Sequence, residues 1–227
     1  MILCRFEDLP ENMQVPEVRE YYEILSRKKC WLAVKRILDI LLALLLLAVL
    51  SPVFLVLAIA IKADSKGPVI YRQIRVTRYS RYFAIYKFRS MYVATGEELQ
   101  LTISGNERIT EIGKKIRKYR LDEIPQLINV LKGDMSFVGT RPEVPKFVEH
   151  YSPEMRATLL LRAGITANAS IEYKEEEEKL SAAENPAQYY IDTILPDKMA
   201  YNLKDIEETG FLHDLKIMFR TVTAVFH

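Results

Sequence analysis

The run from residue 40 to residue 61, ILLALLLLAVLSPVFLVLAIAI, holds 22 consecutive uncharged and almost wholly apolar positions, and it constrains this chain more than any other feature. As a helix it would be about 33 Å long, enough for the roughly 30 Å hydrocarbon core of a bilayer. It begins late, is too long for the apolar part of a cleaved signal, and runs into Lys62 rather than a small-residue cleavage site. A membrane helix is therefore expected. Two details argue against a plain crossing. Ser51-Pro52 interrupts the run, and proline removes one helical hydrogen bond, so the segment should kink there. Ser51 can donate to a carbonyl freed by that break.

The flanks are the second detail. Arg19, Arg27, Lys28, Lys29, Lys35 and Arg36 precede the run, and Lys62, Lys66, Arg72, Arg75, Arg78 and Arg81 follow it. Basic flanks favour the cytoplasmic side, so both ends are expected there. A helix-break-helix that enters and leaves by one face satisfies both details. A full crossing stays open, because prolines also occur in spanning helices. Asp39 follows Lys35 and Arg36 at spacings of four and three, which suggests an interfacial ion pair.

Composition narrows the rest. The 227 residues carry 32 Lys and Arg against 30 Asp and Glu, so no global field of the kind that binds nucleic acid is present. Two cysteines, Cys4 and Cys30, and three dispersed histidines, His150, His213 and His227, support neither a disulfide framework nor a zinc site. The expected architecture is α+β. A poorly packed leader at 1–30 precedes the re-entrant element at 31–62, and a helix-rich catalytic domain at 63–227 carries a β-hairpin.

Within that domain, Val69–Val76 and Tyr82–Phe88 are rich in β-branched and aromatic residues around TRYSR, the pattern of a hairpin. Ile109, Ile112 and Ile116 recur at helical spacing. A short helix should start near Pro125 and end before Gly133. Further helices are expected over 143–151, 153–162 and 186–208. The segment 211–226 is amphipathic, suited either to a membrane surface or to packing on the domain. Glu175 to Glu178 read as a solvated face or loop.

The densest group of chemically capable residues is RKYRLDEIP at 117–125, with KFRS at 87–90 upstream and GTRP at 139–142 downstream. An Asp-Glu pair before a helix is commonly a capping device. Its company here is several cations on a membrane-anchored chain. That is the combination needed when a phosphate-bearing substrate meets a lipid: cations hold phosphates, and carboxylates hold a divalent metal or attack phosphorus.

These blocks also resemble a family. KRILDILLALLLLAVLSPVF, IKADSKGPVIYRQIRV, KFRSM, LDEIPQLINVLKGDMSFVGTRPEV and GIT are similar, in order, to the bacterial sugar transferases, the monotopic phosphoglycosyl transferases. The resemblance covers about residues 33–166. It implies transfer of a phospho-sugar from a nucleotide diphosphate sugar, usually a UDP-sugar, to polyprenyl phosphate at the inner membrane, with release of UMP. By that likeness Asp122 is the nucleophile that forms a phosphosugar-aspartyl intermediate and Glu123 its partner. Lys87, Arg117 and Arg141 would hold phosphates, and Ser51-Pro52 would be the helix break. Mg²⁺ beside Asp122 would be the cofactor. For Arg89, an internal ion pair and ligand contact stay equally open.

The chain departs from the family pattern where GPRP becomes Gly139-Thr140-Arg141-Pro142, where Arg120 replaces a serine before LDE, and beyond Gly164, where ANASIEYKEEEE replaces a glycine-rich stretch. The altered stretch leaves sugar contacts unassigned and keeps a second reading open, a catalytically silent membrane scaffold of the same fold. Which sugar is used, and whether a homodimer forms, are not readable from these residues.

Overall fold

The computed structural model describes residues 3–93 and 108–226, with the backbone alone for 225 and 226, so the reading of His227 lies outside the described residues. Two short 3₁₀ turns lead into α1 (Pro16–Arg27) and then α2 (Lys29–Asp64). The hairpin β1 (Ile70–Thr77) and β2 (Arg81–Phe88) follows, then α3 (Glu111–Lys118), a 3₁₀ turn at Leu121–Glu123, α4 (Gln126–Lys132) and β3 (Met135–Val138). Next come α5 (Pro145–Val148), a 3₁₀ segment at Glu154–Leu160, β4 (Ala163–Thr166), α6 (Asn168–Glu172) and α7 (Glu176–Ser181). The chain closes with α8 (Pro186–Tyr189), a π turn at Tyr190–Ile194, α9 (Leu195–Glu208) and α10 (Phe211–Phe226). The class is α+β, with an antiparallel pair β1-β2 and a parallel pair β3-β4.

Helix α2 is apolar and long enough to cross a membrane by length and composition. Its hydrogen bonding continues across Ser51-Pro52. Proline at 52 leaves the Ala48 carbonyl without its helical donor, and Ser51 Oγ donates to that same carbonyl at 2.8 Å. One face of α2 is seated on the domain along most of its length. Ala43, Leu46, Leu47 and Leu50 pack with Phe83, Leu127 and Met135. Phe54, Leu57 and Ile61 pack with Phe88 and Ile116, the Phe54 and Phe88 rings lying 4.6 Å apart. The opposite face leaves Leu45, Val49, Leu55, Val56 and Ile59 about three-fifths exposed, at 58–64%. Such an apolar stripe on one helix is suited to lipid rather than water.

Polar contacts pin both ends of α2. Arg36 donates to the carbonyls of Val130 and Leu131 at 2.8 and 3.2 Å, at the C-terminal end of α4. Asp39 is buried and accepts from Ser136 Oγ at 2.8 Å and from the Phe137 amide at 3.3 Å. Its expected pairing with Lys35 and Arg36 does not form; Lys35 instead meets Asp214 of α10 at 2.6 Å. At the far end, buried Arg89 donates to the carbonyls of Ser65, Lys66 and Pro68 at 2.7–2.8 Å. Among the described residues Arg89 thus makes no ion pair; it closes off the residues just after α2, where carbonyls lack helical partners.

The leader differs from expectation. Leu3, Phe6, Leu9 and Met13 are buried in the main core with Val18, Leu25, Phe147, Leu160, Tyr190 and Met199. Its apolar residues sit among prolines and charges without helical or strand periodicity, so their burial leaves no local signature. The hairpin, α3 and α4 form where expected, and Gly133 ends α4 with φ +87. The expected helix at 143–151 is reduced to α5, and 153–162 winds as a 3₁₀ segment. In α10, Ile217 is buried on the domain, as the packing alternative expected, while Leu212 and Phe219 stay 77% and 70% exposed. Truncation in the leader is expected to be costly. Met13→Ala should destabilise the full chain by about 2–5 kcal/mol, read as a lower melting temperature in detergent, whereas an accessory leader would melt unchanged.

Candidate active site

The acidic pair is placed by a backbone turn. Helix α3 ends at Lys118, and Arg120 adopts the left-handed conformation, with φ +55 and ψ +21. A non-glycine residue there carries strain that the surrounding packing must hold. The chain thereby reverses into the 3₁₀ turn Leu121–Glu123 and then α4, and Asp122 and Glu123 are only 7% and 9% exposed. Strand β2 brings Lys87 from one side. From the other, the parallel strands β3 and β4 bring Arg141, which lies just past the close approach of Gly139 and Gly164. A Cβ on Gly164 would fall 2.1 Å from the Gly139 carbonyl oxygen, so these two backbones can meet only through glycine.

The two carboxylates differ sharply. Glu123 Oε1 accepts from Arg141 Nη2 at 2.6 Å and lies 3.6 Å from Lys87 Nζ and 3.7 Å from Arg120 Nη1. Burial opposes its ionisation, but Arg141, Lys87 and Arg120 together hold its carboxyl well below the usual range. Asp122 has no hydrogen bond or ion pair within the described residues, and burial pushes its pKa up against the pull of Lys87. Glu123 is a fixed counter-ion, and Asp122 is the carboxylate left free to react. Burial pulls Lys87 down to about 8, with Glu123 opposing that fall, while Glu123 holds Arg141 above its usual range.

These groups line a cavity of about 820 Å³. Its lining includes the cations Arg75, Lys87, Arg117 and Arg141, the acidic run Glu175 to Glu178, and the apolar Leu46 and Leu50 of α2 with Ile124, Leu127 and Phe137. Charged and lipid-like side chains therefore share one chamber. Of the residues singled out by sequence, Asp122, Glu123, Lys87 and Arg141 converge. Arg117 lines the same cavity but is ion-paired to Glu177 of α7. Ser51 and Pro52 are not among the lining residues; they lie on α2 just beyond Leu50.

A buried network behind Arg141 was not foreseen. Glu143 accepts from Tyr190 Oη at 2.6 Å, and Lys198 Nζ lies 3.4 Å from Glu143 and 2.9 Å from Glu176 of α7. Arg75 donates to the Pro142 carbonyl at 3.0 Å and faces Glu143 at 3.9 Å. Glu143 adjoins the RP dipeptide, which was the available signal; Tyr190 and Lys198 arrive from about fifty residues away, and no spacing announces them. The acidic run is likewise not a free solvated face, since Glu176 and Glu177 both make cationic contacts.

Among the described residues no group of three or more carboxylate, histidine or cysteine side chains is arranged to hold a metal. Asp122, Glu175 and Glu178 line the cavity without a side-chain hydrogen bond or ion pair among the described residues. A hard cation carried by a diphosphate would need only one or two protein carboxylates besides phosphate oxygens and water, and Asp122 is the one beside Lys87 and Glu123 that could supply it.

Comparisons with known proteins agree with this geometry. Residues 30–227 match the family profile described as Bacterial sugar transferase. The chain is 36% identical over 193 residues to a UDP-glucose:undecaprenyl-phosphate glucose-1-phosphate transferase of Klebsiella pneumoniae, covering 83% of this chain and 39% of that protein. It is 34% identical over 195 residues to a protein of the same name from Caulobacter vibrioides, covering 84% and 69%. Against a UDP-N-acetylgalactosamine-undecaprenyl-phosphate N-acetylgalactosaminephosphotransferase of Aeromonas hydrophila it is 43% identical over 142 residues, 61% of this chain and 34% of that one. The chain thus spans well under half the length of two of these three relatives. With the profile matched from the start of α2 to the last residue, this chain belongs to the bacterial sugar transferase family.

Proposed function

We propose that the chain transfers a phospho-sugar from a nucleotide diphosphate sugar, a UDP-sugar by analogy with its relatives, to a polyprenyl phosphate in the bacterial inner membrane. The observation that carries this reading is the buried Asp122, without an ion pair among the described residues, in a cavity lined both by cations and by leucines of α2. An Asp122 oxygen attacks the sugar-bearing phosphorus, the phosphoanhydride bond breaks, and UMP leaves with the bond's electron pair. A lipid phosphate oxygen then attacks the same phosphorus and displaces the Asp122 carboxylate. Lys87 and Arg141 neutralise the phosphates as charge shifts between oxygens, and Glu123 keeps those two cations fixed between steps. When bound with the diphosphate, Mg²⁺ supplies further charge neutralisation at phosphorus, with Asp122 the residue nearest to hold it.

The reading includes topology. Both halves of α2 pack on one domain and both ends are pinned to it, which supports placing both basic flanks on the cytoplasmic side. Soluble donor and lipid acceptor then reach the cavity from different sides of the same interface.

Three tests follow. Membranes containing the chain, given UDP-sugars and polyprenyl phosphate, should release UMP, and Asp122→Asn should cut that release by about a thousandfold or more while the protein stays membrane-bound. Quenching without lipid acceptor should leave a phospho-sugar on the peptide carrying Asp122, seen by mass spectrometry; a silent scaffold would give neither signal. In pH profiles, kcat/KM should fall as Lys87 loses its proton near pH 8, and the acid limb should lie above the ordinary carboxylate range because Asp122 is raised. Lys87→Arg should move the alkaline limb upward. For topology, exposed Cys30, alone after Cys4→Ser, and a cysteine at Lys66 in a cysteine-free background should both label only from the cytoplasmic side. Labelling of one from each side would establish a crossing helix.

A further inference from the structure

Helix α7 lies at the cavity, and its two contacts are unequal. Glu176 Oε2 meets Lys198 Nζ at 2.9 Å, and Lys198 is itself only 5% exposed, held by Glu143 at 3.4 Å and by Tyr190 Oη at 3.0 Å. That foot is firm. Glu177 pairs with Arg117, but its side chain is 46% exposed and that of Arg117 is 24% exposed. This second contact is open to water and correspondingly weak.

A carboxylate on a guanidinium occupies the same donor fork that a phosphate would take. While Glu177 is there, it takes Arg117 Nη2, so Arg117 cannot present its full fork to a ligand. Glu175, Glu176, Glu177 and Glu178 all line the cavity, so an incoming diphosphate also meets like charge until the segment shifts.

We propose that Glu177 is an internal competitor for the phosphate position at Arg117, and that a nucleotide diphosphate binds by displacing it while Lys198 keeps the neighbouring Glu176 in place. The proposal rests on reading the cavity as the nucleotide-sugar site. It makes the affinity of this chain for its donor a property of α7 as well as of the phosphate-binding cations. The segment belongs to the stretch beyond Gly164 where this chain departs from the pattern of the family it resembles.

The test uses the full chain in detergent with UDP as probe, measured by equilibrium dialysis with Mg²⁺ present. Glu177→Gln should bind UDP about fivefold more tightly than the unaltered chain, the scale of one partly exposed ion pair. Glu175→Gln removes a neighbouring charge but not the Arg117 contact, and should change affinity by much less. In the unaltered chain, UDP should raise amide hydrogen exchange across 176–181. Equal or weaker UDP binding by Glu177→Gln overturns the proposal, as does an equal gain from Glu175→Gln, or UDP that protects 176–181. Failure of every form to bind UDP would defeat the reading of the cavity itself, and the displaced contact with it.

Discussion

Everything in this molecule depends on α2 satisfying two surroundings at once. Its leucines and Phe54 on one face complete two apolar clusters of the domain, and the leucines, valines and isoleucine on the other face stay exposed among the described residues. An apolar helix in water would have to bury its whole circumference, whereas one in lipid alone would have no reason to hold a particular face toward β2 and α4. The polar pins decide the register. Asp39 on Ser136, Arg36 on the end of α4 and Arg89 on the residues after α2 each satisfy groups that would otherwise be left bare near hydrocarbon.

That register places Leu46 and Leu50 beside the acidic pair, and it explains how the site divides its labour. Two adjacent carboxylates in a buried place would normally repel and share a proton. Here three cations converge on Glu123 and leave Asp122 unpaired. Geometry thereby gives chemically similar neighbours different surroundings: one is tied into the charge array, the other has no ion pair among the described residues.

Much of this was legible from local pattern. The hairpin followed from alternating β-branched and aromatic residues, and α4 from Pro125 and Gly133, because those signals act within a few residues. The cluster at 117–125 stood out because its residue types crowd together in sequence. What stayed hidden depends on distant partners. Asp39 was read against Lys35 and Arg36, its neighbours on the helix, but its partner Ser136 is 97 positions away. Arg89 was weighed for charged partners and found carbonyls. Glu175 to Glu178 have the composition of a solvated face, and nothing within the run says that Lys198 and Arg117 await two of them.

The buried leader also governs the order in which the chain can assemble. Tyr21 of α1 bonds Glu154, 133 positions later, and Lys28 reaches the Glu207 carbonyl 179 positions later. During synthesis α1 therefore leaves the ribosome long before its partners exist. Its apolar face waits uncovered until the segment around Glu154 and then α9 have been made, so the core that holds α1 is among the last parts of this domain to close.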